Sequence, residues 1–217
     1  MAQAAALEEL RVMLAPRVAA AAVFDGWSAD AAAAAATEAG VDPDVAAYAY
    51  HGDPMEMISA WIAYVDAEMA HACPVGELAG LPIRERIRRL VLARLDAVRG
   101  NEEALRRALS IMALPRNVAR ALRLGWSSAD AMWRLAGDTA SDYNHYTKRA
   151  ILASVYAATL AVYVDDRSED KAETRAFLDR RIEGIVRFEK AKAQWVRPAD
   201  DRFSLPRLLG RLRYPAR

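Results

Sequence analysis

Apolar positions along this chain recur at three- and four-residue intervals. No stretch between turn signals alternates apolar and polar residues at period two, so the pattern predicts helices throughout and an all-α fold. A first helix is expected from about residue 4 towards Pro16 or slightly beyond. Asp25-Gly26-Trp27-Ser28 reads as a turn whose Ser28 caps a helix over 29–39, and Gly40 ends that helix. Asp42-Pro43 opens a short helix to about 50, with proline at its first position. His51-Gly52-Asp53-Pro54 breaks the chain again, and Asp53 caps a long helix to about 72.

Residues 74–81 read as a connector. Pro82 opens a basic amphipathic helix to about 99, in which Ile83, Ile87, Leu90, Val91, Arg94 and Leu95 fall at helical spacing. After Gly100-Asn101 another helix reaches about 113, and Pro115 starts the next. Gly125-Trp126-Ser127-Ser128 reads as a second Gly-Trp-Ser turn, followed by a helix to 136 that Gly137-Asp138 closes. A helix over about 142–164 and a charged helix over about 168–195 complete the series. Pro198 and Pro206 then bracket a polar linker and a basic tail. The expected organisation is a degenerate helix-turn-helix region (1–52), a helical core (53–197) and a basic amphipathic tail (198–217).

Composition fits a folded globular chain: 217 residues, 54% hydrophobic and 27% charged, with a net charge of +1. Run 150–164 is the longest without a charge, and it is shorter than the roughly 18–20 residues a bilayer span needs. The single cysteine, Cys73, excludes an intrachain disulfide framework and a Cys-based zinc site, and it fits a reducing compartment. Glu8 and Glu9 precede the first arginine, unlike the basic start of a secretory signal or the acid-poor start of a transit peptide. The near-zero charge conceals an asymmetry. Residues 1–82 hold two Lys+Arg against twelve Asp+Glu, a net of −10, and residues 83–217 carry a net of +11.

That asymmetry decides between readings of the first helices. Their outline is that of a helix-turn-helix, but the would-be recognition helix, Asp42-Pro43-Asp44-Val45-Ala46-Ala47-Tyr48, holds two carboxylates and no cation. DNA affinity rests largely on cations that neutralise phosphates, so no nucleic-acid partner is expected. Glu68-x-x-His71 and Asp142-x-x-His145 have the i, i+3 spacing of a di-iron site. The bridging acids such a site needs from two further helices are missing, so no metal is expected. No phosphate loop, His-Glu-x-x-His or Gly-x-Ser-x-Gly elbow is present, and Cys73 reads as a small hydrophobe. No catalytic residue is expected.

The densest unusual stretch runs from Met132 to Arg149. It gathers Trp133, Tyr143, Asn144, His145, Tyr146 and Lys148 around one helix junction. Arg149 stands before an apolar stripe of Ile151, Leu152, Val155, Tyr156, Leu160 and Tyr163, which is the layout for an amphiphile, headgroup on the cation and chain among the aliphatics. The alternative for that stripe is plain core packing. Beyond Pro206 the tail interleaves Arg207, Arg211 and Arg213 with leucines and Tyr214. Such a segment can lie in a lipid interface or dock on the body of the protein.

Trp133-x-x-Ala136-Gly137-Asp138, then Asp142-Tyr143-Asn144-x-Tyr146-Thr147-Lys148-Arg149, and later Phe177-Leu178 with Arg180-Arg181-Ile182, resemble the signature of the coenzyme Q (ubiquinone) biosynthesis accessory lipid-binding family. The likeness extends over about residues 26–195 and suggests a bacterial member. It implies a TetR-regulator-like helical bundle that dimerises through its last two core helices and has lost DNA binding. It implies a non-enzymatic protein, without a cofactor, whose pocket holds an isoprenoid quinone intermediate or phospholipid. That cargo would be presented to the di-iron demethoxyubiquinone hydroxylase at the membrane surface. By resemblance, Arg149 lies at the lipid site, with Ile151, Leu152, Val155 and Tyr156 alongside. Met132, Trp133, His145 and Tyr146 lie at or near the patch that meets the hydroxylase, and the family often has a different aromatic at the position of His145. The implied location is cytoplasmic and peripheral on the inner membrane, the family's eukaryotic members being mitochondrial. The alternative reading is a TetR-type ligand-responsive transcriptional regulator.

Overall fold

The computed structural model describes the backbone of residues 2–138 and 143–195, and within them the side chains of residues 5–138 and 145–185. Ser141, Asp142 and the basic tail read at 198–217 lie outside the described residues. The chain forms two compact units, Met1–Asp179 and Arg180–Arg217. The first contains helices α1 (Ala2–Asp25), α2 (Ala29–Glu38), α3 (Pro43–Tyr50), α4 (Pro54–Ala72), α5 (Val75–Leu78), α6 (Ile83–Ala97), α7 (Glu102–Met112), α8 (Val118–Leu135) and α9 (Tyr143–Tyr163), and the start of α10 (Ala172–Trp195). Within the second unit the described residues are the remainder of α10. Among the described residues there is no strand, which agrees with the all-α expectation.

The two expected N-caps, Ser28 and Asp53, are present, and Asp42 supplies a third. Ser28 accepts from the Ala31 amide, Asp42 from Asp44 and Asp53 from Met55, and Pro43 and Pro54 stand at the first turns of α3 and α4. The first Gly-Trp-Ser segment is a true turn. Gly26 has φ +70°, a conformation glycine adopts without steric cost, and Trp27 Nε1 donates to the Ala104 carbonyl at 2.9 Å. The Trp27 and Trp61 rings pack with centroids 5.3 Å apart, tying α1–α2 to α4.

Several expectations change. α1 does not stop near Pro16 but continues to Asp25. The proline deletes one backbone hydrogen bond, at about 3 kcal/mol. Leu14, Ala15, Val18, Ala19 and Ala22 on either side of it are fully buried, on a helix that packs against both α2 and α4. The second Gly-Trp-Ser is not a turn: Gly125 to Ser128 lie inside the continuous helix α8. Gly125 lacks the positive φ of Gly26, and Ser128 is a buried interior residue. The stretch after Pro115 is a turn, and α8 begins at Val118. The connector at 74–81 holds the one-turn helix α5. The charged helix starts with a 3-10 turn, Glu169–Lys171, in which Asp170 has φ 50°.

Candidate functional site

α4, α6, α7, α8 and α9 line a half-open cavity of about 600 Å3, within the roughly 300–1,000 Å3 range of ligand sites. It exists because small residues face it where bulk would fill it. Ala108, Ala121, Gly125, Ala150, Ala153 and Ala157 contribute almost no side chain, and a Cβ built on Gly125 meets nothing within 4 Å. The walls are apolar. α4 supplies Ile58, Trp61, Ile62 and Val65; α7 supplies Leu105, Leu109 and Met112; α8 supplies Val118, Leu122, Leu124 and Trp126; and α9 supplies Tyr156 and Leu160. Leu122 is 69% exposed, so the α8 wall also reaches the molecular surface.

One point of the cavity wall is polar. Arg94 of α6 lines it while only 2% exposed. Its guanidinium pairs with the Asp66 carboxylate of α4, whose other oxygen accepts from Ser128 Oγ at 3.2 Å, and it stacks over the Tyr156 ring, 4.9 Å from the centroid. A buried guanidinium without a counter-ion would be very costly, and Asp66 makes this one tolerable. The Arg94 Nε–H is nevertheless buried without a hydrogen-bond acceptor among the described residues. The sequence contains a trace of this site. Arg94 falls within the apolar stripe of α6, and Asp66 sits directly after Val65, a charge out of pattern on each helix.

Arg149 occupies another place. It too is 2% exposed, but its guanidinium is bound on several sides. Nε donates to Asp130 Oδ1 at 2.5 Å, and Nη1 donates to Asp138 Oδ2 and to the His145 carbonyl, both at 3.1 Å. Arg134 adds an ion pair to Asp130 at 2.7 Å, and Lys148 one to Asp138 at 2.8 Å. The arrangement ties the end of α8 to the first turns of α9. Of the apolar residues read with Arg149, Tyr156 and Leu160 line the cavity. Ile151, Leu152 and Val155 belong to the same helix but are not among the cavity's lining, which α9 supplies through Ala150, Ala153, Ser154, Tyr156, Ala157 and Leu160.

The residues read as a partner patch are spread in depth. Met132 is fully enclosed. Trp133 is half-buried, its Nε1 donating to the Lys148 carbonyl at 3.0 Å under the Lys148 ammonium. Tyr146 is 62% exposed, with His145 against one side of its ring and Trp126 against another, at centroid distances of 5.1 and 6.0 Å. Trp126 lines the cavity, so one aromatic separates the exposed Tyr146 from the interior space.

Glu68 and His71 are exposed on α4, and among the described residues no group of three or more His, Cys, Asp and Glu could hold a metal ion. Burial pushes the Cys73 thiol above its ordinary pKa, which disfavours the thiolate a nucleophile needs. No helix among the described residues is long and apolar enough to cross a membrane.

Comparison with known proteins places these features in context. The model of the COQ9 family matches residues 118–189, which contain α8 and α9. The ubiquinone biosynthesis protein COQ9, mitochondrial, of Rattus norvegicus is 35% identical over 164 residues, covering 72% of this chain and 52% of the relative. The protein of the same name from Homo sapiens is 32% identical over 164 residues, covering 72% and 51%. This chain therefore spans about half the length of the curated relatives it matches. Among solved structures, the crystal structure of the TetR transcriptional regulator from Nitrosomonas europaea ATCC 19718 superposes with a TM-score of 0.61 at 18% identity, over 81% of this chain and 97% of that one. At that identity the likeness establishes the fold, a TetR-like helical bundle, and nothing about activity. Residues 118–189, which contain the Trp133–Arg149 stretch, match the COQ9 family, and the matched relatives are named for ubiquinone biosynthesis, which supports a role in that process.

Proposed function

We propose that this chain is a non-enzymatic accessory protein of ubiquinone biosynthesis. It holds an isoprenoid quinone intermediate, or the acyl chains of a phospholipid, in the cavity between α4 and α9. The observation that carries this reading is the cavity itself, about 600 Å3 with walls almost wholly apolar. Each CH2 group moved from water into such a space gains about 0.8 kcal/mol, so a polyprenyl tail too insoluble to cross water unaided is stabilised there. The partner is the di-iron demethoxyubiquinone hydroxylase, to which the cargo is presented at the membrane. The proximity of Trp126, in the cavity wall, to exposed Tyr146 supports a route in which the surface near α9 meets that partner. The protein acts as a homodimer, peripheral on the cytoplasmic side of a bacterial inner membrane.

The test is occupancy of the cavity. Native mass spectrometry of the protein incubated with a short-chain prenylated quinone shows one ligand per chain. Ala121→Trp, which places an indole in the empty space, abolishes the adduct while the thermal unfolding temperature holds or rises. A wild-type protein that takes up neither quinone nor phospholipid overturns the proposal.

A further inference from the structure

We infer that Arg94 is the head-recognising residue of the cavity, and that the head it selects is a neutral ring bearing an acceptor oxygen, not an anion. The inference rests on the reading of the cavity as an amphiphile site and specifies its polar end. Arg94 and Asp66 both lie outside the residues that the family model matches.

The first ground is the unmet donor. Arg94 is 2% exposed, lines an otherwise apolar space, and has a buried Nε–H with no acceptor among the described residues. Buried donors are nearly always paired, and one left open on a cavity wall is satisfied when a ligand brings an oxygen to it. The second ground is charge. Asp66 already neutralises the guanidinium, and Ser128 occupies the second oxygen of that carboxylate. A carboxylate or phosphate entering here would meet Asp66 at low dielectric, with no excess positive charge to stabilise it. A carbonyl, ether or hydroxyl oxygen accepts the same hydrogen bond without that repulsion. The third ground is shape. The guanidinium lies over the Tyr156 ring, so a flat surface flanks the polar end, and Trp61 and Trp126 add further aromatic faces to the same walls. Arg149 offers no competing head site, because it is not among the residues that line the cavity and its charge is already matched by Asp130 and Asp138.

Equilibrium dialysis with three probes built on ten-carbon chains tests this: 2-decyl-1,4-benzoquinone, decylbenzene and decanoate. On the unmutated protein the quinone binds and decanoate binds more weakly. The double substitution Asp66→Asn with Arg94→Met removes the charged pair together, leaving no orphaned carboxylate. It weakens the quinone roughly tenfold or more, as loss of a hydrogen bond from a charged donor should, and leaves decylbenzene within about twofold. Asp66→Asn alone uncovers the guanidinium charge and strengthens decanoate. Equal weakening of quinone and decylbenzene in the double variant overturns the role of Arg94. Decanoate as the tightest ligand of the wild type overturns the choice of a neutral head, and that ranking requires no variant to fold. Binding of none of the three by the wild type removes the cavity reading itself.

Discussion

Arg149→Met separates a structural strut from a lipid anchor. The substitution keeps most of the side chain's volume but removes its donors to Asp130 Oδ1, Asp138 Oδ2 and the His145 carbonyl. The Asp138 side chain is 7% exposed and that of Asp130 is 18% exposed, so both carboxylates lose a counter-ion while largely out of water. Breaking a buried pair by deleting one partner costs about 3–5 kcal/mol. Lys148 still holds Asp138 and Arg134 still holds Asp130, which puts the expected loss near the lower end, about 3 kcal/mol. For a chain of this size each kcal/mol moves Tm by about 2–4 °C, so the variant should unfold about 6–12 °C earlier. Arg149→Lys, which keeps a charge but not the fork, falls between the two. Thermal unfolding followed by circular dichroism gives Tm. Equilibrium dialysis at a temperature where the variant is fully folded then gives quinone binding within about twofold of wild type. If the variant unfolds at the wild-type temperature and has lost the quinone, Arg149 holds cargo and not helices, and the reasoning from its ion pairs is wrong.

Asp166 supplies a pH dependence. Burial works to raise its pKa, but hydrogen bonds from the side chains and amides of Ser168 and Thr174 outweigh that and hold it well below the usual carboxylate range. A depressed folded-state pKa adds stability above the unfolded value of about 3.9, and that stability is lost as pH falls from there towards the folded pKa. Asp166→Asn should therefore cost about 1.5–3 kcal/mol at pH 7 and distinctly less at pH 2, measured by urea midpoints; an equal loss at both pH values would refute the assignment. The two Gly-Trp-Ser segments should respond oppositely to alanine. Gly26→Ala destabilises by about 1–2 kcal/mol because its φ is +70°. Gly125→Ala, inside α8 with open space at its Cβ, stabilises by about 0.5–1 kcal/mol. Denaturant unfolding reads both. Duplex DNA should not shift the protein in a gel at low salt, because α3 and its N-cap present Asp42 and Asp44 and no cation; a complex that dissolves as salt is added would reverse that.

The parts of the fold legible in the sequence are those set by local chemistry. Ser28, Asp42 and Asp53 cap helices because a short side-chain oxygen before an apolar run has an unpaired amide to accept from, whatever the rest of the chain does. The misread parts are those where packing overrode a local signal. Pro16 looks like a helix end until the buried faces on both sides of it are seen to pack as one surface against α2 and α4. Gly125-Trp126-Ser127 has the letters of Gly26-Trp27-Ser28. At Gly26 the chain must turn so that Trp27 can reach the Ala104 carbonyl, whereas at Gly125 the helix continues and the missing side chain becomes empty volume. A local pattern does not say whether a glycine is present for its backbone or for the space it leaves.

The same limit governs the two buried arginines. Arg149 stands out in the sequence because it follows a dense polar motif and precedes an apolar run. That density is also what supplies its partners: Asp138 from within the motif and Asp130 from the helix before it. A cation in a polar-rich stretch is the one most easily satisfied by its own chain, and so the least available to cargo. Arg94 is inconspicuous because its neighbours at helical spacing are Ile87, Leu90, Val91 and Leu95, which places it on a face turned inward, where few acceptors exist. Asp66, the acid that meets it, lies on another helix and out of reach of any spacing rule. A charge out of pattern on an apolar stripe, and not a charge inside a polar motif, is therefore the better sequence mark of a polar group that faces an internal space.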